Sequence, residues 1–199
     1  MLFRSINIFF SLKNLNTINN FIYFPLHVPK DLALTLRAPE CLDQIRSLKT
    51  VVTDGHAPIF FKEHPLIFSR YNYFKIVKQF ASAFFLDNNL SSNEIIKKSK
   101  FVITINSKAG LESLALGKPV LTLNKNYYCG KGLAVYCSSK KTFNQFENNI
   151  KLYIPDKTKV KKLLVNLTKK ILYFDMYNNE KKSLNKSLKS LKKIIAKSL

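Results

Sequence analysis

Acidic residues are scarce in this sequence: 12 Asp and Glu stand against 33 Lys and Arg, a formal charge of +21 over 199 residues. So one-sided a surface favours anionic partners, whether nucleic acid, lipid headgroups, charged sugar donors or acidic polymers, and does not choose among them. Abundant Lys, Asn, Ile and Phe would also follow from an AT-rich coding sequence, which leaves part of the basicity compositional. Cysteine is sparse as well. Cys41, Cys129 and Cys137 show no CxxC spacing and no paired histidine cluster, arguing against zinc and for free thiols in a reducing, cytoplasmic setting. No stretch holds eighteen uninterrupted apolar residues, so no membrane span is expected. Walker, GxGxxG, HExxH, GxSxG and aspartate-rich motifs are all missing, so neither a metal nor a cofactor is indicated. There is no internal repeat of fold-defining length.

What is present suffices for one full domain. The chain is 46% hydrophobic, enough to bury a core, yet too short for a two-domain enzyme of ordinary size. Residues 1–20 are partly apolar but broken by Arg4, Asn7 and Lys13, without a small-residue cleavage site, and read as a linker or the remnant of an upstream domain. Residues 21–177 alternate strand and helix signals. FIYF at 21–24, stopped by Pro25, IFFK at 59–62, AFFL at 83–86 and the apolar runs at either end of FVITINSKAGLESLALGKPVLTL (101–123) read as strands. Residues 39–52, 71–80 and 91–99 read as helices, the last with a Ser91 cap and Glu94 three positions on. The pattern predicts an α/β fold: a Rossmann-like parallel sheet with helices on both faces. Further helices are expected over 140–151 and 157–177. The tail, 178–199, is lysine-rich; Leu184, Leu188, Leu191 and Ile195 recur at helical spacing, which suits either a solvated terminal helix or contact with an anionic membrane surface.

In such a sheet, ligands settle at the carboxyl ends of strands, and phosphates favour the N-terminus of the following helix. Three strand exits carry polar residues that would share one side of the sheet: His27, the Lys62-Glu63-His64-Pro65 run, and Asn106-Ser107. Ser107 stands where a helix cap should be, with Gly110 three residues on. The pair can bind a phosphate through hydroxyl and first-turn N–H groups, or serve only to cap and pack the helix. Glu112 is placed either to accept two vicinal hydroxyls or to sit as solvated helix charge. His64, its backbone fixed by Pro65, can donate to a phosphate oxygen and stabilise charge on a departing group, or be structural.

In order and spacing, FIYFPLHVPKDLALTLRAP, IFFKEHP and VITINSKAGLESLALGKPVLTL followed by Tyr127-Tyr128 resemble the capsule polysaccharide biosynthesis and export family, over roughly residues 21–133. The resemblance implies a GT-B glycosyltransferase transferring Kdo from CMP-Kdo, with this chain as the C-terminal, nucleotide-binding half. More distantly, the chain is similar to GT-B sialyltransferases. On that footing His64 and Ser107 would hold the phosphate, with His64 the catalytic group, and Glu112 the ribose or base. His27, Lys62, Pro65, Asn106 and Gly110 would complete or shape the substrate pocket, with no metal. The acceptor would be an anionic glycolipid or polysaccharide, and the setting the cytoplasm or the inner face of the membrane. The resemblance places the partner half, with the acceptor site and catalytic carboxylate, upstream of Phe21, so the chain is expected to be a gene fragment, one half of a split enzyme completed by a separate protein, or a nucleotide-binding remnant. Two other outcomes stay open: a CDP-glycerol-type glycerophosphotransferase, and a nucleotide-binding module without turnover. Nucleic acid is not expected as a partner, since the basic tail lacks aromatic interleaving.

Overall fold

The computed structural model describes residues 9–10, 19–29, 31–64 and 72–170. Seven strands form one sheet: β1 (Phe9–Phe10), β2 (Ile22–Pro25), β3 (Ile59–Lys62), β4 (Ala83–Leu86), β5 (Phe101–Thr104), β6 (Val120–Thr122) and β7 (Val135–Tyr136). Their order is β1-β4-β3-β2-β5-β6-β7, and every neighbouring pair is parallel. β2, β3, β5 and β6 are buried at every position, as strands covered on both faces must be.

The helices are α1 (Leu32–Arg37), α2 (Gln44–Val51), α3 (Tyr73–Val77), α4 (Ser92–Lys98), α5 (Lys108–Ala115), α6 (Lys140–Asn148) and α7 (Lys157–Lys170). Strand alternation divides the core in two. Ile22, Phe24, Ile59, Phe61, Phe85, Phe101, Ile103 and Leu121 meet Leu34, Ile45, Leu48, Ile76, Phe143 and Phe146 on one face. Phe21, Tyr23, Phe60, Leu86 and Val102 meet Ile95 and Ile96 on the other. Aromatic rings carry much of the first core: Phe61 stacks on Phe85 at 5.4 Å, and Phe101 meets Phe146 edge-on at 5.2 Å. The α/β, Rossmann-like reading with helices on both faces therefore holds.

From β2 the chain winds outward through β3 and β4; from β5 it winds the other way through β6 and β7. The order reverses between β2 and β5, and the carboxyl ends of strands at such a reversal are where open α/β sheets take ligands.

Several elements depart from the sequence expectation. Residues 39–52 are not one helix: Pro39–Cys41 is a 3-10 turn, and α2 begins afresh because Asp43 Oδ1 accepts the Arg46 N–H at 3.0 Å. Ser91 stands at the N-cap of α4 but makes no side-chain cap bond, so the expected capping box is not formed. β2 takes in Pro25 as its last residue, paired with Lys62, and the next N–H, of Leu26, returns the ladder bond to Lys62 at 2.9 Å. α1 and β7 were not expected from the sequence, nor was the pairing of Phe9–Phe10 with β4. The chain divides into two units, Met1–Val160 and Lys161–Leu199; of the second, the described residues continue α7 to Lys170. The tail 178–199 and Pro65 lie outside the described residues.

Candidate functional site

The β2 and β3 exits sit side by side. Pro25 and Lys62 are paired, so His27 and His64 each follow by two residues at neighbouring strand ends. His27 is 7% exposed and anchored from below: Gln44 Oε1 accepts its backbone N–H at 2.8 Å, and Gln44 Nε2 donates to its carbonyl at 3.1 Å. Its Nδ1 lies 3.2 Å from Asp31 Oδ2, which orients the ring. Burial pushes the imidazole pKa below its ordinary value; Asp31 pulls it back up, and the charge of nearby His64 pushes it down again. His27 is thus held neutral near pH 7.

Lys62 is 3% exposed, on the same strand face as Phe60. Desolvation depresses the pKa of its ammonium, partly offset by Asp87 from the β4 exit. Glu63 is equally buried, with Oε2 3.3 Å from the Nδ2 donor of Asn88. A buried lysine at a strand's carboxyl end is costly unless it faces an anion.

Across the switch point, β5 delivers Asn106 and Ser107 to the start of α5. Ser107 caps the helix: its Oγ accepts the Ala109 N–H at 3.2 Å, and its carbonyl the Gly110 N–H at 3.0 Å. Its own N–H goes to Thr104 Oγ1 at 3.2 Å. Two first-turn donors are therefore used within the turn, which leaves the Ser107 hydroxyl proton and the Lys108 N–H to face an anion. Glu112 Oε1 pairs with Lys108 Nζ at 3.3 Å across one turn and is partly exposed. Its charge also reaches the buried Tyr23 hydroxyl, whose pKa burial raises strongly and whose hydrogen bond to Ser92 lowers it in part.

Gly110 has a packing role. A Cβ there would lie 2.6 Å from Tyr128 Oη and 2.9 Å from Thr104 Cγ2. Tyr128, fully buried, donates its hydroxyl to the Ser107 carbonyl at 2.8 Å and so clamps the turn from the far side. Asn126 adds a bond from Nδ2 to the Ile105 carbonyl at 3.3 Å. The Gly117-Lys118-Pro119 stop is a structural C-cap: Gly117 adopts φ 73°, the Lys118 N–H donates to Ser113 O at 2.9 Å, and Lys118 Nζ donates to Ser99 O at 2.8 Å, tying α5 to the end of α4.

The structure thus brings His27, His64, Lys62 and Glu63 to adjacent strand ends on one side of the switch point, and Asn106, Ser107, Gly110 and Glu112 to the other. Gln44, Asp31 and Tyr128 are supports that sequence reasoning missed. The sequence signal for Gln44 was a polar residue on the apolar face of a helix, beside Ile45 and Leu48. Among the described residues, no group of three or more His, Cys, Asp or Glu is placed to hold a metal ion, and no helix is long and apolar enough to cross a membrane.

The fold is a Rossmann-like α/β domain that carries His27, Lys62 and His64 at the carboxyl ends of two neighbouring strands. Residues 10–163 match the family model described as capsule polysaccharide biosynthesis protein, and the chain belongs to that family. Protein FixF of Sinorhizobium fredii is 32% identical over 117 residues, covering 54% of this chain and 27% of that protein. Two solved structures from Thermosulfurimonas dismutans are similar. The KpsC beta Kdo 2,7 transferase is 25% identical over 61% of this chain and 39% of its own, with a TM-score of 0.46. The KpsC beta Kdo 2,4 transferase is 20% identical over 62% and 40%, with a TM-score of 0.47. The chain thus spans about a quarter of FixF and about two fifths of either KpsC chain.

Proposed function

We propose that this chain is the donor-binding half of a glycosyltransferase of capsular or surface polysaccharide synthesis, and that its donor is a CMP-activated acidic sugar of the Kdo type. The observation that supports the reading is that His27 and His64 follow the paired Pro25 and buried Lys62 at adjacent strand ends, while the neighbouring strand β5 leads to the Ser107 cap. Family membership supports it.

In this reading the CMP phosphate sits between Lys62 and His64 on one side and the Ser107 hydroxyl and Lys108 N–H on the other. Glu112 exchanges its exposed lysine pair for the ribose hydroxyls. As the glycosidic bond to CMP breaks, negative charge grows on the phosphate oxygen, and His64 and Lys62 stabilise it without reorganisation. His27, kept neutral by burial, and Asp31 hold the neighbouring face of the crevice. Acceptor positioning and deprotonation come from a facing half, supplied by another polypeptide or a longer form of this one. The acceptor is an anionic glycolipid or polysaccharide, met at the inner membrane surface.

Thermal unfolding with saturating CMP, CMP-Kdo or CDP-glycerol tests the donor class. A ligand at 100 times its Kd stabilises by about 2.7 kcal/mol. The reading expects CMP and CMP-Kdo to raise Tm and CDP-glycerol to do so less. A larger shift with CDP-glycerol would move the chain to glycerophosphate transfer.

A further inference from the structure

Beyond β6 the chain builds a feature that the nucleotide crevice does not use. Residues 125–136 loop out and return as β7, leaving a cavity of about 720 Å³ walled by Leu133, Ala134, Val135, Tyr136, Tyr153 and the Gly130 and Gly132 backbone. Its rim carries Leu152 at 78% exposure and Ile154 at 59%, two aliphatic side chains held in water on a 3-10 turn and the extended residue after it. No lining residue is acidic; the exposed acid beside the wall is Asp156, whose N–H donates to the Gly132 carbonyl at 3.3 Å and whose Oδ1 accepts the Thr158 and Lys159 N–H groups. Lys125 sits in the wall with Nζ 5.5 Å from the Tyr136 ring centre. Lys131, Lys151, Lys157 and Lys159 are exposed around it, Lys159 reaching back toward Gly132, where a Cβ would stand 3.0 Å from its Nζ. The conformation is built for this loop: Gly130, Lys131 and Gly132 all take positive φ, which only glycine adopts without cost.

We propose that this face docks on an anionic bilayer leaflet, with Leu152 and Ile154 entering the headgroup boundary and an acyl chain reaching the cavity. Exposed aliphatics flanked by four exposed lysines and one exposed acid, Asp156, present a net positive, apolar face that complements an apolar layer beneath negative charge. Tyr136 adds an amphipathic ring of the kind found at membrane interfaces. Geometry links docking to the crevice, because the same loop sends Asn126 to Ile105 and Tyr128 to Ser107. Docking would set the carboxyl edge of the sheet near the leaflet. The inference rests on the reading that the chain works at a membrane surface, and relocates the contact from the lysine-rich tail to the folded domain.

The chain has no tryptophan, so Leu152→Trp introduces a single reporter. Its emission should shift to the blue on adding phosphatidylcholine vesicles that contain phosphatidylglycerol, and not with phosphatidylcholine alone; no shift with either would overturn the proposal. In co-sedimentation, Leu152→Glu with Ile154→Glu should weaken binding to the anionic vesicles about tenfold or more, while deletion of 181–199 leaves that sensitivity in place. If the wild type does not sediment with anionic vesicles, the membrane reading itself fails. If it does and the double variant binds equally well, or the tail deletion alone removes binding, only this face is wrong.

Discussion

Gly110→Ala tests the clamp that shapes the α5 turn. The new methyl would sit 2.6 Å from Tyr128 Oη and 2.9 Å from both Tyr128 Cζ and Thr104 Cγ2, too close for any of them. Tyr128 is fully buried and cannot swing into solvent, so the ring or the helix must move. Overpacking of this kind costs about 1–3 kcal/mol, and loss of the Tyr128 to Ser107 bond adds about 0.5–1.5 kcal/mol. Alanine returns up to about 1 kcal/mol of helix propensity. The net is a destabilisation of about 1–3 kcal/mol, each kcal/mol lowering Tm by roughly 2–4 °C in a protein of this size. Urea or thermal unfolding of Gly110→Ala, Tyr128→Phe and the double variant forms a cycle. Removing the hydroxyl relieves the 2.6 Å contact, so the double variant should lose less than the sum of the singles. A Gly110→Ala protein as stable as the parent, or strictly additive losses, would refute the packing role and return Gly110 to ligand approach.

Other expectations follow from the same geometry. Lys62→Met removes a desolvated ammonium, so Tm should hold or rise while CMP affinity falls at least tenfold; a large loss of Tm would show that Asp87 fully compensates the charge. His27 has a folded pKa below its unfolded value near 6.5; in that window the unfolded chain binds more protons, so stability falls as pH drops below about 6.5. In melts from pH 8 to 5, His27→Gln should lose part of that slope, and equal slopes would contradict the assignment. Gln44→Ala breaks both bonds to the His27 backbone and should cost about 1–3 kcal/mol, read by denaturant titration. Cys41 and Cys137 are buried with thiol pKa values raised, that of Cys137 to about 11, so a thiol reagent on the native protein should label Cys129 first.

The sheet was legible because its strands are short, largely apolar runs bounded by turn residues: 59–62 and 83–86 fall where the sequence puts them. Helix α1 was not, since LALTLR leaves Leu32 and Leu36 exposed and buries Leu34, a weak periodic signal. β7 spans two residues and exists only by pairing with β6. Ser91 shows a limit of motif reading: the pattern fits a capping box, yet tertiary structure decides, and the neighbouring Ser92 bonds Tyr23. At the site, residue types marked the strand exits, but the reason for Gly110 lay in Tyr128, eighteen positions away and reachable only through the fold.

Isothermal titration of CMP into the purified chain, the parent beside His64→Ala and Ser107→Ala, tests the central claim most directly. The account predicts saturable one-site binding by the parent and at least a tenfold loss in each variant. No binding by the parent, or unchanged affinity in both variants, would contradict it.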